Sequence, residues 1–78
     1  MSTFNELILG SEVLPYGSYL DSNKCNPGYE RYVYFDHNTH SLCQYNYCSR
    51  KDRELFITVK PTLEECRQAL AEWLKLHI

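Results

Sequence analysis

Apolar positions recur at three- and four-residue steps near the end of the chain. Leu63, Cys66, Leu70, Trp73, Leu74 and His77 fall on one stripe, with Glu64, Gln68, Glu72 and Lys75 on the other side. This spacing predicts one amphipathic helix across residues 61–78. Thr62, followed three residues later by Glu65, has the form of a capping box, in which hydroxyl and carboxylate each satisfy a backbone N–H at the helix start. At about 1.5 Å per residue the helix is roughly 25 Å long, the reach of a seven-residue strand at about 3.3 Å per residue. It calls for a small sheet beneath it.

Upstream, the period changes to two. Tyr29 to Asp36 is rich in aromatic and β-branched residues and reads as a strand, and His37-Asn38-Thr39-His40 makes a turn. Ser41 to Cys48 supplies a second strand, and Ser49 to Arg53 a charged turn. In Glu54 to Lys60, the third strand, Leu55, Ile57 and Val59 alternate with Glu54, Thr58 and Lys60. The order predicts an α+β domain: a three-stranded antiparallel β-meander over residues 29–60, packed on the C-terminal α-helix of residues 61–78. Residues 1–28 form an N-terminal arm and loop. Within the arm, Thr3 to Leu9 suits a short helix and Leu7 to Leu9 suits an extra strand, with Gly10-Ser11 as an interruption. Pro15 to Gly28 is dense in turn formers and reads as irregular, ending at Asn26-Pro27-Gly28, where Pro sets one turn dihedral and Gly supplies a left-handed one.

Strand parity assigns faces. If Leu55, Ile57 and Val59 face the helix, a five-residue turn at residues 49–53 brings Tyr47, Tyr45 and Cys43 to the same inner face. A four-residue loop at His37–His40 sets Tyr34 opposite Cys43 and Tyr32 opposite Tyr45, and a three- or five-residue loop reverses this. The outer face keeps Phe56 and Leu42 with an aromatic pair from the first strand, more apolar surface than water usually covers. Tyr32, Tyr34 and Phe56 on that face are the candidate partner-binding residues, with Arg50, Lys51 and Arg53 at the second turn as a charged rim.

Composition narrows the class. Seventy-eight residues with 44% apolar character make a single domain, residues 1–78, and too little for two. Such a chain buries only about 60–65% of its unfolded surface, so a homodimer is one route to stability. A formal charge of −2 argues against an electrostatic grip on duplex DNA. No apolar run approaches the roughly 20 residues needed to span a bilayer, and Met1 to Glu6 lacks the basic region and apolar core of an export signal. The expectation is a soluble cytoplasmic protein without membrane partners. Its four cysteines are then expected as free thiols, with a Cys25–Cys48 bridge as the alternative, because the first strand's start and the second strand's end share one edge of a hairpin.

Candidate chemistry is sparse. His37-x-x-His40-x-x-Cys43-x4-Cys48, with Cys25 as a spare, offers zinc-binding side chains and makes a small zinc-binding module the second alternative function. Cys43 and Cys48 are five apart on one strand, however, and a regular pleat points them to opposite faces, so neither a metal nor a cofactor is expected. No thiol is spaced with a base and an orienting carboxylate, so the chain is not expected to be an enzyme.

Seven tyrosines beside three phenylalanines and one tryptophan supply flat apolar area with polar tips. Tyr32, Tyr34 and Phe56, with Arg31, Arg50, Lys51, Arg53 and Lys60 nearby, could stack bases and meet phosphates. In outline, residues 29–76 resemble the small sheet-plus-helix DNA-binding domains at the front of phage-type integrases, and that resemblance implies nucleic acid as an alternative partner. Glu30, Asp36, Asp52 and Glu54 dilute the basic charge. Weakly charged, Tyr-rich surfaces have the composition of protein interfaces, and a non-enzymatic protein–protein interaction module is the reading favoured. By analogy of size and style, such a module would be a phage or mobile-element inhibitor that occupies a surface of a host complex.

Overall fold

The computed structural model describes residues 8–21, 23, 24, 26–51 and 53–77, the last by its backbone alone. Four strands, β1 (Gly10–Val13), β2 (Tyr29–His37), β3 (His40–Cys48) and β4 (Leu55–Lys60), precede one helix, α1 (Leu63–His77). They form a mixed sheet of order β1-β2-β3-β4. The meander and the closing helix are as expected, but the sheet has one strand more than the three read from the pattern. β1 runs parallel to β2, with Gly10 beside Tyr29 and Val13 beside Tyr32. Gly-Ser-Glu-Val carries no strand pattern of its own; pairing with β2 makes it one, and the edge continues in the Leu14 N–H to Tyr32 carbonyl bond of 2.9 Å. The expected short helix at Thr3–Leu9 falls largely outside the described residues.

The β2–β3 hairpin turns on two residues, Asn38 and Thr39, with φ of 50° and 66°, and His37 pairs with His40. Two positive φ values define the tight turn whose twist matches the flanking strands. Because two and four are both even, this shorter loop gives the register set by a four-residue one, Tyr34 opposite Cys43 and Tyr32 opposite Tyr45. At the other end, Tyr29 N–H donates to the Asn26 carbonyl at 3.0 Å around Pro27 and Gly28, whose φ is 86°. A Cβ on Gly28 would stand 2.8 Å from Leu9 Cγ, so both backbone angle and close approach require glycine there.

The β3–β4 turn corrects an expectation. Cys48 pairs with Leu55, so the connection is six residues, 49–54, closed by Ser49 N–H to the Glu54 carbonyl at 2.8 Å. One residue more than anticipated inverts every side chain of β4. Phe56 points to the helix and lies 5.3 Å from the Trp73 ring, while Leu55, Ile57 and Val59 point away.

The helix covers β3 and β4 on one face. Thr62 caps it, its hydroxyl accepting from the Glu65 N–H at 3.2 Å and donating to the Glu65 carboxylate at 3.1 Å. Cys66, Leu70 and Leu74 bury against Cys43, Tyr45 and Tyr47, with Ile8, Tyr32, Tyr34, Phe56, Leu63 and Trp73 packed around them. On the opposite face Val33, Asn46 and Cys48 are buried with no helix above them, and Leu20, buried outside the helix-side cluster, belongs to the connection 14–28 that returns the chain from β1 to β2.

Candidate functional site

β4 closes the sheet on one side, and among the described residues no strand pairs with its outer edge. On the face away from the helix Val33, Asn46 and Cys48 are buried, whereas Ile57 and Val59 on β4 are 47% and 46% exposed. Natural sheets usually guard an edge by shortness, charge or proline. β1, the other edge, is four residues long and carries Gly10 and Glu12. β4 is six residues long, and its guards stand only at the ends, Glu54 before it and Lys60-Pro61 after. A groove of about 440 Å³ on α1, lined by Glu65, Gln68, Ala69, Ala71 and Glu72, reaches the end of β4 at Lys60. Leu76, seven residues beyond Ala69 and so on the same flank of α1, is 84% exposed.

A rigid anchor stands across the sheet. Glu30 on β2 is fully buried yet ionised, held by Arg67 of α1 through Nε at 3.1 Å and through a second guanidinium nitrogen. Tyr45 Oη of β3 donates to it at 2.6 Å, and Ser11 Oγ of β1 donates to its other oxygen. Burial alone would raise the Glu30 pKa, but these hydrogen bonds and the Arg67 charge together hold it below the usual 4.5. Burial, and then the bond to Glu30, raise that of Tyr45. One carboxylate therefore ties β1, β2, β3 and α1 together. Neither partner of this ion pair stood among the candidate residues of the sequence. Parity was the available signal, since it places Glu30 on the face of Tyr32 and Tyr34.

The candidate residues disperse. Tyr32, Tyr34 and Phe56 lie on the helix side, packed against the core, and not on the face away from it. The reason differs for each strand: the even hairpin loop turns the two tyrosines inward, and the six-residue turn does the same to Phe56. Tyr32 meets Tyr34 edge-on at 5.9 Å and stacks on Tyr45 at 6.5 Å. Arg50 and Lys51 are exposed at the β3–β4 turn as expected, and Arg53 is there with φ of 60°. That turn lies at the Tyr29 end of β2, so Tyr34 and the basic residues stand toward opposite ends of the sheet.

Of the spaced His and Cys residues, Cys43 faces the helix and Cys48 the opposite side, in a disulfide bond. Cys25 lies outside the described residues. Free-thiol expectations hold for Cys43 and Cys66. Burial pushes the Cys66 thiol up to about 12 and raises that of Cys43 as well. Among the described residues no three His, Cys, Asp or Glu side chains gather as metal ligands, and no helix is long and apolar enough to cross a membrane.

A family model described as "Domain of unknown function, B. Theta Gene description (DUF3873)" matches residues 22–77, which carry β2, β3, β4 and α1 and leave β1 outside. No curated protein and no solved structure matches the chain.

Proposed function

The chain belongs to the DUF3873 family, whose description assigns no activity, and we propose that it is a non-enzymatic protein-recognition module whose contact surface is the open edge of β4. The single observation that carries this is a six-residue edge strand, guarded only at its ends, with which no strand pairs among the described residues and on which Ile57 and Val59 are half exposed. An extended segment can add to such an edge through main-chain hydrogen bonds, while pockets for alternate side chains select the sequence. Arg50 and Lys51, at the turn leading into β4, form a polar rim. An inhibitor that occupies a surface of a host complex is the narrower form of this role. Tyr32, Tyr34 and Phe56 serve it indirectly, by seating α1 and β4.

Free thiols were expected because the protein was expected in the cytoplasm, and the disulfide at Cys48 runs against that compartment, because such bonds persist in oxidising surroundings.

The test is affinity capture from the native host with the full chain and with an Ile57→Lys/Val59→Lys variant as baits. Both positions are exposed, so the variant keeps its far-ultraviolet circular dichroism and loses the captured partner. Equal capture by a folded variant would move the contact elsewhere.

A further inference from the structure

We infer that the segment recognised by β4 is the β4 of a second copy, in an antiparallel pair centred on Ile57; this rests on the edge-recognition reading above. In an antiparallel pair, residues directly opposite share a face, so a two-fold axis perpendicular to the sheet must pass through a residue and not between two. Two centres are available near the middle of the strand. Centred on Thr58, Phe56 would face Lys60 of the other copy and Leu55 would face Pro61, which has no N–H to donate. Centred on Ile57, every opposing pair is compatible.

In that register Ile57 meets itself, Leu55 meets Val59, Phe56 meets Thr58, and Glu54 meets Lys60 twice, once at each end. The charges that guard the ends of β4 against other strands thus become attractive toward a copy of the same chain. Leu55, Ile57 and Val59 join their counterparts in one apolar stripe on the face away from the helices, where Ile57 and Val59 are 47% and 46% exposed in one copy. Pairing converts two four-stranded sheets into one of eight strands and removes the unguarded edge.

Sedimentation equilibrium of the full chain from about 1 to about 500 micromolar reads the mass directly. A reversible dimer is expected. Lys60→Glu sets like charges opposite each other at both ends and should weaken the dimer by about tenfold or more, and Glu54→Lys/Lys60→Glu should restore it, because only this register exchanges those two positions. Ile57→Lys, which places two ammonium groups on the axis, should give a folded monomer. A wild-type monomer throughout, or a dimer indifferent to Lys60→Glu and Ile57→Lys, overturns the pairing. A monomer whose capture of a foreign protein still depends on Ile57 and Val59 would end self-pairing and leave edge recognition intact; indifference in both experiments would end both.

Discussion

Glu30 Oε1 accepts from Arg67 Nε at 3.1 Å, and this pair joins the second strand to the closing helix across the buried side of the sheet. Its energetics are asymmetric. Glu30 is fully buried, whereas the Arg67 side chain keeps 39% of its exposure, so removing the arginine strands a buried carboxylate while removing the carboxylate leaves a cation that can reach water.

Arg67→Met should therefore cost about 3 kcal/mol in urea titration at pH 7, and Glu30→Gln distinctly less. The pH dependence separates the two explanations. In the wild type the folded Glu30 pKa lies below 4.5, so its contribution is fully present above about pH 4.5 and is lost as pH falls through the lower, folded value. Without Arg67, burial dominates and the folded pKa rises above 4.5, so the variant should lose stability as pH rises from about 4 to 7. A variant whose stability still falls only on acidification would show that Arg67 does not hold the carboxylate ionised.

Thr39 occupies the left-handed region at φ 66°, where a β-branched residue is strained, directly after Asn38 at φ 50°. Thr39→Gly creates the Asn-Gly pair this turn favours and should stabilise the protein by about 0.5–1 kcal/mol. For a domain of this size that is a rise of roughly 3–6 °C in Tm by thermal melting. An unchanged or lower Tm would mean that the turn is of another type.

The inverted register of β4 makes neighbouring positions respond oppositely. Phe56→Ala, which empties the space against Trp73, should cost about 3–4 kcal/mol, while Val59→Thr should stay within about 0.5 kcal/mol at dilutions where the chain is monomeric. Equal losses at the two positions would restore the parity first read from the alternation.

The cysteines divide by environment. With the thiols of Cys43 and Cys66 buried and the Cys66 pKa raised to about 12, neither should react with a disulfide reagent until the protein unfolds. Prior reduction of the Cys48 disulfide should lower the stability by about 2–4 kcal/mol. Rapid labelling of either buried thiol in the folded protein would show that α1 lifts from the sheet.

Legibility followed the range of the interactions. The helix stripe from Leu63 to Leu74 and the Thr62–Glu65 cap were readable because neighbours within four residues determine them. The Tyr34–Cys43 register was one of two that the sequence left open, because an even loop produces it and an odd one reverses it, and the two-residue turn at Asn38 and Thr39 decided between them. Ile57 and Val59 were assigned to the core because alternation reveals two faces without saying which is covered, and one extra turn residue decided that. The same error carried Phe56 to the wrong side, whereas the loop between β2 and β3 decided Tyr32 and Tyr34.

The order of amino acids by itself determined the closing helix, the β2–β3 hairpin and the sequence of elements, since each depends on local period, capping and turn chemistry. Tertiary structure decided what depends on distant partners. It made a strand of Gly10 to Val13 beside β2, drew Glu30 and Arg67 together from 37 positions apart, and chose which side of β4 meets water. No local pattern encodes these, because the free energy that selects them arises only when the sheet, the connection and the helix bury one another's surfaces.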